Sequence, residues 1–307
     1  MSLGDNRYSI LGENQYGKAE TRVVRIYRDT DRHEIRDLNV STALRGDFAA
    51  AHRAGDQAKV LPTDSQKNTC FAYAKERGVG EIEDYALALA NHFTDDIPSV
   101  TRARVDVDEY RWERVAVDDV GHAHTFVRAG HEIRSAAAVI DTGGSVKAQW
   151  VVSGVRDLVL LKSTGSQFTG FLRDRYTTLP EASDRILATS LTARWRYAGT
   201  DVPWGDAFAQ VRQTLLERFA VVYSRALQQT LWEMGSAVLT ARDDIAEIRL
   251  SAPNKHHFLV DLSPFGLDNP GEVFHADDRP YGLIQCAVVR EGAAEAGPAW
   301  DVPASFA

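Results

Sequence analysis

The sequence has little cysteine and no long apolar run. Its two cysteines, Cys70 and Cys286, are far apart and lack a Cys-x-x-Cys spacing, which excludes a disulfide scaffold and a thiolate metal cluster and fits a reducing compartment. The longest apolar stretches, 136–140 and 158–161, are far too short to span a bilayer. The first residues lack a basic segment followed by an apolar one, so no signal peptide is expected. These absences predict a soluble, cytoplasmic protein with no membrane partner.

The sequence also has fewer positively than negatively charged residues. The chain has 35 Lys and Arg against 43 Asp and Glu, a formal net charge of −8, which argues against a nucleic-acid partner. Hydrophobic residues make up 44% and charged residues 25% of the 307 residues, the mix of a globular protein with a substantial core. A chain of this length predicts about two domains.

Hydrophobic periodicity predicts one order of elements twice. In the first half, strands are expected at 21–28 and 33–44, helices at 64–76 and from 81, and strands at 101–117 and 125–140. In the second half, strands are expected at 148–161 and 184–197, helices at 206–223 and 225–241, and strands at 246–252, 257–262 and 283–289. The polar stretch 46–59 is expected to be a hairpin loop.

The repeated order predicts an α+β fold of two tandem ββααββ units. We expect domains at 1–145 and 146–307, each an antiparallel four-stranded sheet with its helices on one face. Such a sheet has two open edges, which favours pairing with neighbours into a barrel. Both ends of the chain, the second from Glu291 onward, are expected to be loose.

Several polar segments allow either a structural or a functional interpretation. Residues 61–65 open a helix, where Thr63 or Asp64 would serve as the N-cap. Phe168, after the polar loop 162–167, fits a core aromatic, and His256, expected between two strands after Pro253, fits a structural histidine. No Gly-x-Gly-x-x-Gly or P-loop motif is present, so no nucleotide cofactor is predicted.

These segments together resemble the uricase (urate oxidase) family, in the family's order and at similar spacings. The matching segments are 16–18, 61–69, 162–168, 184–187, 254–256, 266–269, 272–274 and 282–284, and the likeness extends from Tyr16 to about Val289. The resemblance implies the tunnelling fold and a homotetramer that encloses a barrel. It also implies oxidation of urate by dioxygen to 5-hydroxyisourate and hydrogen peroxide in purine degradation, with no cofactor and no metal.

The resemblance also implies roles for individual residues. Lys18 and Thr63 match the catalytic pair, and His256 matches the histidine that completes the proton relay. The substrate-binding positions are Thr63 and Asp64 beside the ligand, Phe168 stacked on the purine, Arg185 and Gln228 at its polar edge, Leu227 through its backbone, and Asn254 beside the dioxygen or water position. The family site lies between subunits, with the Lys and Thr segments on one chain and the purine clamp on the other. The matching segments depart from the family at Leu227 and His257.

These residue types suit the chemistry that the resemblance implies. An aromatic face such as Phe168 stacks on a flat heterocycle, and the planar donor fork of Arg185 suits an anionic ring edge. Gln228 offers both a donor and an acceptor to a purine dione.

Two competing functions are weighed against this one. His122 and His124, with His131 further along, could form a zinc site like that of tunnelling-fold relatives that act on pterins, although a polar strand explains the same pattern. A non-catalytic purine-binding tetramer would keep the clamp but lose Lys18, Thr63 or His256. All three are present, which favours catalysis.

Overall fold

The computed structural model describes residues 9–301. The strands are β1 (Thr21–Tyr27), β2 (Glu34–Gly46), β3 (Val100–Glu109), β4 (Trp112–Val117), β5 (Val120–Arg128), β6 (Ile133–Asp141), β7 (Ala148–Lys162), β8 (Leu187–Tyr197), β9 (Ile245–Leu259), β10 (Phe274–Asp277) and β11 (Leu283–Val289). The helices are α1 (Ala49–Ala54), α2 (Thr63–Glu76), α3 (Ile82–Asp95), α4 (Trp204–Val221) and α5 (Leu227–Ala241). None of these helices is both long enough and apolar enough to cross a membrane.

Contacts between residues divide the described chain into two units. Unit 1 comprises residues 9–128, 135–151 and 296–301, and unit 2 comprises 129–134 and 152–295. The domain boundary predicted between residues 145 and 146 falls inside a stretch that groups with unit 1.

In each unit, the main sheet strands and the two longer helices follow the predicted ββααββ order, and α1, the β4–β5 pair and β10 are additional elements. In unit 1 the strands lie in the order β1-β2-β3-β6, and in unit 2 in the order β7-β8-β9 with β11 beside β9. The pairings β1–β2, β2–β3, β7–β8, β8–β9 and β9–β11 are antiparallel. In unit 1 α2 packs on β1 and α3 on β3, and in unit 2 α5 packs on β9 and β11. The predicted α+β class is confirmed, whereas the barrel assembly stays a prediction.

The core of unit 1 lies between its sheet and its helices. Leu38, Val40 and Leu44 of β2 are fully buried, and they alternate along the strand as residues on one face of a sheet do. On α3, Ile82 and Leu89 are also fully buried. Burying a side chain of this size stabilises the fold by about 1.5–3 kcal/mol, so these faces hold the helices on the sheet.

The structure corrects the predicted bounds of two long strands of unit 1. The stretch 101–117 divides into β3 and β4, and the stretch 125–140 into β5 and β6, because β4 and β5 pair only with each other as a separate two-stranded ribbon. Gly130, at the break before β6, has a φ of +61°, a conformation that interrupts a strand and favours glycine.

Three other predictions are wrong in detail. The expected loop 46–59 contains α1. The strands expected at 246–252 and 257–262 form one strand, β9, which runs through Pro253. In the described pairing of β8 with β9, Asn254 and Ser251 have partners on β8 but Pro253 has none. Proline lacks a backbone N–H, so its place in β9 costs no hydrogen bond to β8.

The third concerns the C-terminal tail, of which residues 291–301 are described; residues 302–307, like residues 1–8, lie outside the described part. Gly297–Trp300 form a short 3-10 helix in which Ala299 is fully buried. The Ala299 carbonyl accepts a 3.1 Å hydrogen bond from Arg104, and Asp301 lies 3.3 Å from the Arg102 guanidinium. These contacts hold this part of the tail, although its composition predicts a loose segment.

Candidate active site

The backbone around Lys18 runs beside β2 and is held there by hydrogen bonds. The Lys18 amide donates to the Thr42 hydroxyl at 3.1 Å, and the Thr42 amide donates to the Lys18 carbonyl at 2.9 Å. Gly17 permits this close approach, because a Cβ at that position would lie 1.7 Å from the Thr42 carbonyl oxygen. The Lys18 side chain leaves this anchored backbone partly buried.

Thr63 is the first residue of α2 and not its N-cap, which corrects the sequence prediction. Pro62 occupies the N-cap position with a φ of −53°, and no side chain caps the helix. Proline fits there because its ring fixes φ close to this value. The Thr63 hydroxyl is therefore not consumed by capping, and it stands at the positive end of the helix dipole, where a polar or anionic ligand is favoured.

A set of buried groups connects these two segments. The Thr42 hydroxyl donates to the Gln66 side-chain oxygen at 2.7 Å, and the Gln66 side-chain nitrogen donates to the Leu61 carbonyl at 3.4 Å. That carbonyl also accepts the Tyr16 hydroxyl at 3.2 Å. Burial raises the pKa of Tyr16 above its ordinary value, so this hydroxyl remains a donor at neutral pH.

Asp64 follows Thr63 on the exposed side of α2. Lys67 forms an ion pair with its carboxylate, and Asn68 donates to the same group at 3.1 Å. The hydrogen bond and charge of Lys67 hold the pKa of Asp64 below its ordinary value, with a smaller contribution from the charge of Lys18. The Asp64 carboxylate is thus bound by Lys67 and Asn68 of the same helix, and the ligand contact predicted for Asp64 is made by its backbone.

In unit 2, Phe168 lies in the loop between β7 and β8 as part of an aromatic stack. The Phe171 ring is nearly parallel to it, with centroids 4.7 Å apart and an angle of 13° between the planes. The Phe168 backbone is paired with Ala182 in both directions, at 2.8 and 3.0 Å. Phe168 is only partly buried, so part of this residue is exposed.

Arg185 lies over the Phe168 ring, with its guanidinium carbon 5.3 Å from the ring centroid. Its Nε atom is buried without a hydrogen-bond partner among the described residues. Desolvation by burial lowers the pKa of the guanidinium from its ordinary value, although arginine remains a cation at neutral pH. A buried donor left unpaired costs about 1–3 kcal/mol. A ligand that accepts a hydrogen bond from Arg185 Nε would therefore remove this cost.

Asp184 and the turn before α5 organise the loop that carries Phe168. Thr164 donates to the Asp184 carboxylate at 2.6 Å and the Gly165 amide donates to it at 3.0 Å; the Thr164 bond is the largest cause of the lowered pKa of Asp184. The Ser166 carbonyl accepts the Arg185 amide at 2.8 Å, and Ser166 forms a parallel bridge with Ser224.

The same turn places the start of α5 beside the Phe168 loop. The Gln167 amide donates to the Ser224 carbonyl at 2.8 Å, and the Thr230 hydroxyl donates to Ser224 Oγ at 2.7 Å. Leu227 and Gln228 are the first residues of α5, the former buried and the latter exposed. Gln228 therefore has a side chain available to a ligand, and Leu227 anchors the helix in the core.

Asn254 and His256 lie on β9, two residues apart and so on the same face. Asn254 is opposite Thr189 of β8, and the backbone N–H of Asn254 donates to the Gly282 carbonyl at 2.8 Å. The His256 ring is 5.7 Å from that of Phe258 and nearly parallel to it. Thr189 Oγ1 is buried without a hydrogen-bond partner among the described residues, which is a second unsatisfied group beside the predicted clamp.

The predicted residues are divided between the two units. Lys18, Thr63 and Asp64 belong to unit 1, and their segments are connected through Thr42 and Gln66. The second set belongs to unit 2: Phe168, Arg185, Leu227, Gln228, Asn254 and His256.

Sequence reasoning overlooked three supporting residues. Thr42 interrupts the apolar alternation of β2, Gln66 has the helical spacing of buried Cys70 and Ala74, and Phe171 follows Phe168 within the same loop. For Thr42 and Gln66, the signal in the sequence was a polar residue at a position where the pattern predicts an apolar one.

The histidine pattern does not form a metal site in the described residues. The rings of His122 and His124 are 4.6 Å apart on β5. No group of three or more His, Cys, Asp or Glu side chains in residues 9–301 is arranged to hold a metal ion. The zinc alternative is therefore not supported.

Comparison with known proteins identifies the family. The uricase family model matches residues 14–139 and 151–285. A uricase of Arthrobacter globiformis is 51% identical over 297 residues, covering 97% of this chain and 95% of that protein, and a uricase of Danio rerio is 36% identical, covering 95% and 98%. The crystal structure of the Arthrobacter globiformis uricase superposes with a TM-score of 0.89, covering 95% of this chain and 99% of that chain. The chain therefore belongs to the uricase family.

Proposed function

We propose that this protein catalyses the oxidation of urate by dioxygen and water to 5-hydroxyisourate and hydrogen peroxide, as a step of purine degradation. The environment of the Arg185 guanidinium is the main observation that supports this proposal. Its guanidinium is partly desolvated, lies over the Phe168 ring and has an unpaired Nε donor. A flat anion with an oxygen or nitrogen acceptor at its edge would satisfy that donor, and urate has this chemistry.

The unit 2 residues act as the clamp for the ring. Urate stacks on Phe168, whose orientation is supported by Phe171, and Arg185 binds the anionic edge. Gln228 donates to and accepts from the remaining ring edge, while Leu227 contributes its backbone. Asn254 lies beside the position at which dioxygen or water approaches the ring. Stacking and charge-assisted bonds together fix one face and one edge of the substrate.

Lys18 and Thr63 of unit 1 and His256 of unit 2 move protons. Lys18 and Thr63 form a relay that removes a proton from bound urate, and His256 completes it. Asp64 contributes its backbone beside Thr63. Loss of protons leaves an electron-rich anion that passes its electrons to dioxygen, and water supplies the hydroxyl of the product. In this scheme the substrate itself supplies the electrons, so the reaction is proposed to need no cofactor and no metal.

The site is proposed to form between subunits of a homotetramer, since the family resemblance assigns the Lys18 and Thr63 segments to one chain and the purine clamp to another. Apolar side chains on the strands of unit 2 are about half exposed, as expected of a surface that another subunit covers; they include Val159, Phe258, Leu283 and Val289. The unpaired Cys70 and Cys286 fit a cytoplasmic location, which stays a prediction.

The purified protein should consume urate and dioxygen and form hydrogen peroxide in equal amounts without added cofactor. Urate absorbance, an oxygen electrode and a peroxide assay measure the three quantities after exhaustive chelation. Arg185→Ala serves as the matched control, because it retains the relay and removes the clamp charge. Activity that disappears on chelation and returns with zinc would overturn the proposal, as would urate binding without turnover.

A further inference from the structure

Between residues 38 and 44, the helix-facing row of β2 contains one polar residue, Thr42. Its neighbours in that row, Val40 and Leu44, are fully buried in the core of unit 1, and Thr42 itself is 1% exposed. Facing it from α2 is Gln66, which is 0% exposed. An isolated polar side chain in an apolar core is destabilising, so this pair calls for an explanation other than core packing.

The pair connects the two segments that carry the proposed relay. Thr42 Oγ1 donates to Gln66 Oε1 at 2.7 Å and accepts the Lys18 amide at 3.1 Å. With its oxygen committed to Thr42, the Gln66 amide nitrogen points to the Leu61 carbonyl at 3.4 Å, two residues before Thr63. One continuous chain of hydrogen bonds therefore runs from the Lys18 backbone to the turn that begins α2.

We propose that Thr42 and Gln66 are positioning residues that set the placement of Lys18 relative to Thr63. This inference rests on the proposed function, in which Lys18 and Thr63 exchange a proton. Proton transfer depends steeply on the distance between the groups, and a displacement of about 1 Å can cost about a hundredfold in rate. The two groups come from segments far apart in sequence, and the buried pair ties one segment to the other. Neither Thr42 nor Gln66 touches the substrate in this scheme.

The test compares isosteric variants with a matched control. Thr42→Val and Gln66→Met each remove the Thr42–Gln66 bond while keeping the core filled and leaving the Tyr16–Leu61 bond in place, and Thr42→Ser retains the hydroxyl. Thr94→Val is the control, because Thr94 is also a buried threonine of unit 1, but its hydroxyl bonds only to carbonyls of its own helix, Ala90 and Asn91.

Thr42→Val and Gln66→Met should each lower kcat for urate about tenfold, with less than a twofold change in KM, since the clamp is untouched. The double variant should lose little more than either single one, because both break the same link. Thr42→Ser should retain most of the wild-type kcat. Thr94→Val should lower Tm about as much as Thr42→Val does, but it should leave kcat unchanged. Full kcat in Thr42→Val and Gln66→Met, measured well below their Tm, would overturn the proposal.

Amide hydrogen exchange tests the link separately from turnover. Thr42→Val should accelerate exchange in peptides covering residues 16–18 and 61–64, whereas Thr94→Val should leave both unchanged. Unchanged exchange in Thr42→Val would overturn the link whatever the activity. A wild-type protein that does not oxidise urate, but in which Thr42→Val accelerates exchange in both segments, would overturn the proposed function and leave the link standing.

Discussion

At the scale of single residues, the two sets of site residues differ in what their loss should cost. Lys18 and Thr63 are proposed to carry protons and Arg185 to hold the substrate, so the first two should affect turnover and the last should affect affinity. Their surroundings agree with this division. The Thr63 hydroxyl is not used as a helix cap, and the Arg185 Nε donor has no protein partner among the described residues.

Lys18→Met and Thr63→Ala should each lower kcat by about 10²-fold or more, the usual scale for a proton-transfer group. Their combined effect should be well below the product of the two, because both belong to one relay. Steady-state kinetics of the single and double variants measures this. An unreactive purine analogue should still bind both variants; its loss would assign these residues to the clamp instead.

Arg185→Ala should raise KM for urate by about ten- to a hundredfold, equivalent to roughly 1.5–3 kcal/mol for a hydrogen bond to a charged group. Arg185→Lys should recover only part of the affinity, since an ammonium lacks the planar fork of donors. Titration with a purine analogue gives the affinity directly. Unchanged KM with greatly reduced kcat would contradict the assignment.

At the scale of elements, the approach of residues 16–18 to β2 decides where Lys18 stands. Gly17 has no room for a side chain, because a Cβ would lie 1.7 Å from a backbone oxygen of Thr42. Backbone cannot move aside as the end of a flexible side chain can, so any larger residue must displace this segment.

Gly17→Ala should therefore lower kcat by tenfold or more and lower Tm, because the segment loses its bonds to β2. Gly12→Ala is the matched control, since a Cβ there meets nothing within 4 Å, and it should leave both quantities unchanged. Activity and thermal unfolding of the two variants measure the difference. Wild-type kcat in folded Gly17→Ala would show that turnover does not depend on this approach.

At the scale of the whole molecule, Lys18 and Thr63 lie in unit 1 and Phe168, Arg185 and Gln228 lie in unit 2, which allows these two sets to be separated genetically. If each site combines unit 1 of one chain with unit 2 of another, defects in different units can complement each other. Defects in the same unit cannot, because every site then receives one damaged set.

At a urate concentration far below the raised KM of Arg185→Ala, where both single variants are nearly inactive, Thr63→Ala and Arg185→Ala chains refolded together should be more active than either variant alone. A mixed pair of subunits then contains one site with both sets intact and one with both defective. Thr63→Ala refolded with Lys18→Met should remain inactive, because both changes lie in unit 1. Urate consumption by the mixtures measures both cases. Mixed assemblies as inactive as their parents would place each site within one chain.

The sequence by itself determined the ββααββ order of each unit and the family, because hydrophobic periodicity and several separate motifs are local signals. Only the tertiary structure decided how Lys18 is held on β2, that Pro62 rather than Thr63 occupies the N-cap position of α2, and that Asn254 and His256 lie within a strand. These features depend on contacts between segments distant in the chain, which no local pattern contains. The same reason explains why Gln66 and Thr42 escaped sequence reasoning: a polar residue in an apolar row acquires its meaning only from the partner that folding places opposite it.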